Sequence, residues 1–235
     1  MSLSAEASDL HLSPERTLRV PCYCEENIWR LAYRRTCIHA EATAIKYNVV
    51  FISNKPKCCP MFYQKASKCV SSPCFWDYHV VLLATSETLP SVDNTGSSTV
   101  KVDTARVKET TYVLDLDSNL PYPCPLSLYL KETFDYSRFE HWQMPSPPSF
   151  RIIPAKTYLK YFYSDRMHMF DRNQQIWLSP PPSYECIMNG KLETDNTNSR
   201  SSNLDKYINM DDGQEPIYGN VMSLDDIKQK FIPGT

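Results

Sequence analysis

Residues 76–83 read Trp-Asp-Tyr-His-Val-Val-Leu-Leu. Four apolar residues, Val80, Val81, Leu82 and Leu83, follow a histidine set among aromatic and β-branched neighbours. Such a run, bounded by polar sequence, predicts a buried strand, here over about residues 75–85. A histidine at the head of a buried strand is held rigidly, and its ordinary pKa lies close to neutral pH. That combination suits proton transfer. It equally suits a hydrogen-bonded residue of the core or its rim. Alternation along a strand predicts that Asp77, His79 and Val81 share one face, and Trp76, Tyr78 and Val80 the other.

Downstream, residues 86–104 form a Ser-, Thr- and Asp-rich tract that reads as a loop insertion. The next ordered stretch, residues 110–117, is Thr-Thr-Tyr-Val-Leu-Asp-Leu-Asp. It predicts a strand with Val113, Asp115 and Asp117 on one face. Acids on a buried strand are costly unless paired, and sequential strands tend to be neighbours. This order therefore predicts Asp115 beside His79 on an antiparallel pair. Upstream, Ile28, Leu31 and Ala32 fall at helical spacing behind Glu25 and Glu26, which suit a first turn. A helix is expected to begin at about Cys24. A second helical segment is expected over 39–46, then a buried strand over 49–53 and a short strand over 61–63. Further on, helices are expected over 126–134 and 157–167, and a strand over 150–153. A second polar loop is expected at about 189–203, and a helix capped by Ser223 and Asp226 near the end. The expected architecture is α+β: one domain over 21–235, a largely antiparallel sheet flanked by helices, behind a mobile arm over 1–20.

Composition sets bounds. The chain has 235 residues, 42% hydrophobic and 22% charged, with a formal net charge of −2. That balance gives no electrostatic reason to expect nucleic acid or an anionic membrane as partner. No apolar run approaches the roughly 20 residues that span a bilayer, and the N-terminus lacks the hydrophobic stretch of a secretory signal. An intracellular protein is expected. Nine cysteines without a regular framework argue against a disulfide scaffold or a zinc site. Five glycines leave no Gly-rich phosphate loop.

Three residues then carry chemistry: Cys24 at a helix start, His79 on a strand and Asp115 on the next. The positive end of a helix favours thiolate. A carboxylate behind an imidazole fixes its tautomer and stabilises its charged form. Together they follow the logic of thiol-dependent acyl transfer.

The residues that carry a resemblance come in a fixed order. They are Cys-Tyr-Cys-Glu-Glu-Asn-Ile-Trp at 22–29, Phe-Ile-Ser-Asn at 51–54, the opening motif at 76–83 and Asp-Leu-Asp at 115–117. Then follow Leu-Pro-Tyr-Pro-Cys at 120–124, Tyr-Leu-Lys-x-Phe-x-Ser-Asp-Arg-x-His-Met at 158–169 and Pro-Pro-Pro-x-Tyr-x-Cys-Ile at 180–187. The series resembles the protein N-terminal glutamine amidohydrolase family over about residues 19–232. The resemblance implies a papain- and transglutaminase-like core, with Cys24 as nucleophile, His79 as base and Asp115 as third member. It implies deamidation of an N-terminal glutamine side chain to glutamate with release of ammonia, feeding an N-degron route of protein degradation. The expected partners are proteins or peptides with a free N-terminal Gln. No metal or organic cofactor is expected, and the protein is expected to be a monomer of the cytoplasm and also the nucleus. The tracts at 86–108 and 189–203 are longer than the family pattern.

A free α-ammonium must meet carboxylates or carbonyls when it is desolvated. Asp77 and Asp165 are the candidates. Asp165 also has a structural reading beside Arg166, and His168 and Trp177 read as packing residues. The alternatives from other classes are a transglutaminase-like or peptidase activity, and a non-catalytic module that binds protein N-termini.

Overall fold

The computed structural model describes residues 14–38, 45–69, 71–88, 108–139, 146–188, 202–211, 213 and 215–232. Ten strands and five α-helices run through these residues. In chain order they are α1 (Cys24–Tyr33), β1 (Ile45–Ser53), β2 (Cys59–Met61), β3 (Cys74–Trp76), β4 (His79–Thr88), β5 (Lys108–Leu114), β6 (Cys124–Pro125) and α2 (Leu126–Thr133). Then come β7 (Ser149–Pro154), α3 (Ala155–Tyr161), β8 (Phe170–Asp171), β9 (Ile176–Trp177), α4 (Leu204–Ile208), β10 (Asn220–Ser223) and α5 (Leu224–Phe231). Six strands form one sheet in the order β10-β7-β1-β4-β5-β6, and every pairing is antiparallel. The fold is α+β, as the sequence predicts.

Both faces of the sheet are covered, which explains the near-continuous apolar runs in β1 and β4. Val49, Phe51, Val80, Leu82, Leu114 and Ile153 pack on one face against Ile28 and Leu31 of α1, Tyr158 of α3 and Tyr207 of α4. Val50, Ile52, Val81, Leu83, Val113 and Phe150 pack on the other against Tyr129 and Leu130 of α2 and Ile227 and Phe231 of α5. The strand period of two sends successive residues to opposite layers.

Two buried arginines tie peripheral chain to this frame. Arg151 in β7 donates to the carbonyls of Asn209, Asp211, Tyr218 and Gly219. Arg166 forms a bidentate pair with Glu26 of α1 at 2.8 Å through each nitrogen and also donates to the carbonyls of Pro182, Tyr184 and Glu185. The proline-rich stretch is thereby fastened to the start of α1. Ser223 and Asp226 close a reciprocal capping box on α5, as the sequence predicts.

Several expectations need correction. Residues 75–85 are not one strand. β3 pairs with β2 in a separate two-stranded sheet, the chain bends at Asp77, and β4 begins at His79. Trp76 therefore does not face away from His79; the two rings stack, with centroids 5.6 Å apart. The described part of the expected N-terminal arm is packed: Pro14–Leu18 form a 3-10 turn, Leu18 is buried, and Glu15 pairs with Arg35 at 2.7 Å. Residues 1–13 lie outside the described residues. The helix expected over 39–46 lies outside them up to residue 44, and Ile45 and Lys46 are already strand. The expected insertions lie outside them at 89–104 and 189–201, while residues 86–88 continue β4 and Asn203 is buried. The helix expected over 157–167 ends at Tyr161, because Phe162 is extended and Arg166 is left-handed.

Candidate active site

The α1 start, the bend before β4 and the end of β5 meet around one cavity. It has a volume of about 350 Å³ and is lined by Cys24, Trp76, Asp77, Tyr78, Asp117 and His168, among others.

Cys24 is the first residue of α1 and is buried. The segment before it is held on several sides. Asn27 clasps Val20 through both the N–H, at 2.9 Å, and the carbonyl, at 2.8 Å. Tyr23 donates to the Ser179 carbonyl at 3.0 Å, and Arg19 pairs with Asp117 at 2.6 Å. The Val80 backbone N–H faces the sulfur, so the thiol sits against the strand position next to His79. Burial and the neighbouring Glu25 charge nevertheless push the thiol well above its ordinary value. The expectation that the helix start favours a thiolate does not describe the resting site: desolvation outweighs the dipole, and the sulfur rests protonated.

His79 is buried, and its backbone pairs with Ile52 of β1 near the middle of the sheet. Its Nε2 lies 3.0 Å from Asp115 Oδ1. Its Nδ1 is buried and makes no hydrogen bond. Burial disfavours the imidazolium, but the charge and hydrogen bond of Asp115 prevail, with Asp117 adding to them, and the His79 pKa ends above its ordinary 6.5.

Asp115 stands just past β5 and is buried. Burial alone would raise its pKa. The His79 charge and hydrogen bond, the Asp117 N–H at 2.8 Å and the Tyr129 hydroxyl at 2.8 Å hold it below the ordinary carboxylate value. An acceptor-only carboxylate takes the Nε2–H of His79, which leaves Nδ1 with the free lone pair.

Asp77 is exposed in the bend and lines the cavity beside Cys24; one of its oxygens accepts the Tyr78 N–H at 2.9 Å. Asp165 accepts the Met167 N–H at 3.1 Å and is not among the cavity residues. Trp177 packs on Phe170, with centroids 5.2 Å apart. His168, read as a packing residue, lines the cavity.

Two features escaped the sequence reading. The Trp76 indole Nε1 is buried without a hydrogen-bond partner, on a side chain that lines the cavity. Glu25, read as an ordinary first-turn acid, is fully buried against Cys24 and Tyr78. A tryptophan just ahead of a candidate base was the one available signal for the first; nothing in residue spacing marks the second.

All nine cysteines are free thiols. Among the described residues, no group of three or more His, Cys, Asp or Glu side chains could hold a metal ion, and no helix is long and apolar enough to cross a membrane.

A sequence model described as N-terminal glutamine amidase matches residues 19–231. The Protein N-terminal glutamine amidohydrolase of Danio rerio is 36% identical over 98% of this chain and 96% of its own length. The Bos taurus protein of that name is 37% identical over 89% of this chain and 84% of its own, and the Homo sapiens one 35% identical over 89% and 85%.

Proposed function

The chain belongs to the N-terminal glutamine amidase family, and from that membership we propose a mechanism: a thiol-dependent amidohydrolase that converts N-terminal glutamine of proteins and peptides to glutamate and ammonia. The observation that carries the mechanism is the pairing of His79 with Asp115 through Nε2, which leaves Nδ1 buried and unpartnered, on the residue next to the Val80 N–H that faces the Cys24 sulfur.

The reaction starts from the neutral thiol and the neutral imidazole. His79 Nδ1 takes the proton from Cys24, and the new thiolate attacks the side-chain amide carbon of the substrate glutamine. The imidazolium, stabilised by Asp115, then gives that proton to the departing ammonia, leaving a thioester on Cys24. A water, losing its proton to neutral Nδ1, hydrolyses the thioester and restores the thiol. Charge develops on the amide oxygen in both halves. The Cys24 backbone N–H at the helix start is one donor for it. The Trp76 indole N–H is the second, because it is buried and unpartnered on a side chain that lines the cavity. The stack of Trp76 on His79 holds both rings in register.

For the substrate α-ammonium, Asp77 is the stronger candidate, since it shares the cavity with Cys24. Asp165 would act from outside that lining. The proposal further includes the papain- and transglutaminase-like core, a monomer, cytoplasmic and nuclear placement, and a product that enters an N-degron route. The test is turnover of a Gln-initiated peptide and of its N-acetylated form. The free peptide is expected to gain the mass change of amide to acid and the blocked one to stay intact. Equal turnover of both would overturn the terminus-specific reading.

A further inference from the structure

Glu25 follows the nucleophile directly and buries its whole side chain, which an ordinary first-turn acid does not. Its Oε2 accepts the Tyr78 hydroxyl at 3.0 Å and the Cys24 thiol at 3.7 Å. Its Oε1 makes no hydrogen bond, with His168 Nε2 3.5 Å away. Tyr158 of α3 donates to the Glu25 backbone carbonyl at 3.2 Å, which fixes the turn that carries both residues. The titratable groups around the carboxyl are Cys24 and Glu26 on α1, Tyr23 before it, Tyr78 before β4, Tyr158 on α3 and His168 beyond it. Around the sulfur, Asp77 and Asp117 add further negative charge. Among the described residues, no arginine or lysine pairs with Glu25 as Arg166 pairs with Glu26. Its ionised form is stabilised by a backbone N–H, the Tyr78 hydroxyl and the thiol hydrogen.

We propose that Glu25 is a positioning residue for Cys24: its carboxylate accepts the S–H hydrogen bond and keeps the proton on sulfur, so that thiolate forms only by transfer to His79. This rests on the reading of Cys24 as nucleophile. It assigns the residue after the nucleophile a task opposite to activation. A carboxylate at hydrogen-bond distance stabilises thiol over thiolate, whereas a neutral carboxyl or amide does so far less.

Glu25 has its pKa raised to about 7 by burial and by Glu26, against a backbone N–H and the Tyr78 and Cys24 hydrogen bonds. Its hold on the sulfur should therefore weaken as pH falls through that value. The experiment is site-resolved mass spectrometry of Cys24 alkylation by iodoacetamide, from about pH 5.5 to about pH 9, in wild type and Glu25→Gln. The variant is expected to react about tenfold faster at the alkaline end and to converge with wild type at the acid end. Identical curves, or a constant ratio at every pH as a packing defect would give, would overturn the proposal. Tyr78→Phe keeps the test decisive if Glu25→Gln fails to fold. Losing that hydroxyl favours neutral Glu25, so the alkaline suppression should begin at higher pH; an unmoved curve would count against the proposal. Turnover retained by Cys24→Ala would sink the nucleophile assignment instead, a result separate from either alkylation curve.

Discussion

Two buried carboxylates, Asp115 and Glu25, each stand beside a histidine, and their states are opposite. Asp115 lies 3.0 Å from His79, Glu25 3.5 Å from His168. Burial raises both. Asp115 collects an imidazole, a backbone N–H and a tyrosine hydroxyl, and falls below its ordinary pKa. Glu25 collects a backbone N–H, a tyrosine hydroxyl and a weak thiol donor, leaves one oxygen unbonded, and is raised to about 7. Depth therefore does not decide charge in this site; the charge and strength of the donors does. The same contrast separates the histidines. His79 is raised above 6.5 by its carboxylate, and His168 is lowered by burial. Asp115 stays ionised beside His79, whereas Glu25 holds its proton until pH rises through about 7.

The largest test of this contrast is Asp115→Asn. An amide at that position no longer fixes the His79 tautomer or stabilises its cation, and kcat should fall by about 10⁴-fold. With the raising influence gone, the acid limb of the pH–rate profile should also move to lower pH, since His79 must be neutral to accept the thiol proton. An unshifted limb would detach Asp115 from the titration. Next comes Trp76→Phe, which keeps the stack on His79 and removes the indole N–H. Steady-state kinetics should show kcat lower by about 10²–10³-fold with KM little changed. A change in KM alone would assign Trp76 to binding.

Stability against pH separates the carboxylates directly. Between about pH 4.3, where an unfolded Glu ionises, and about 7, folded Glu25 retains a proton that the unfolded chain has released. Stability should fall as pH rises across that window, and Glu25→Gln should remove the fall, a gain on the order of 3 kcal/mol above it in urea unfolding. Asp115 has the opposite sign. Its contribution is present above about pH 3.9 and is lost as pH falls through its lower folded value. The smallest effect is expected from Tyr129→Phe. It removes one donor from charged Asp115 and should cost about 1.5–3 kcal/mol in the same assay. A neutral result would mean the remaining donors suffice.

Much of the frame was legible because local signals and long-range packing agreed. Acids followed by Ile28, Leu31 and Ala32 announce α1, and Ser223 with Asp226 announces α5. The apolar runs of β1 and β4 announce strands covered on both faces. The placing of Asp115 beside His79 followed from strand order. What failed was set by tertiary contacts with no periodic trace. Trp76, Tyr78 and Val80 alternate as in one strand, yet pairing of β3 with β2 bends the chain at Asp77 and turns Trp76 onto His79. Glu25 and Glu26 look alike in sequence. Arg166, in the left-handed conformation and far along the chain, neutralises only Glu26. Arg151 is likewise unmarked, because a strand arginine gives no hint that it will gather carbonyls from residues 209–219.

The central claim is that Cys24 performs covalent hydrolysis of an N-terminal glutamine side chain. Its most direct measurement is mass spectrometry of a Gln-initiated peptide with wild type and with Cys24→Ala, alongside ammonia release. Wild type should yield the Glu-initiated peptide with one ammonia per turnover, and Cys24→Ala should lose at least about 10⁴-fold in rate. Glutamate formation at the wild-type rate by Cys24→Ala, or cleavage of the backbone in place of deamidation, would contradict it.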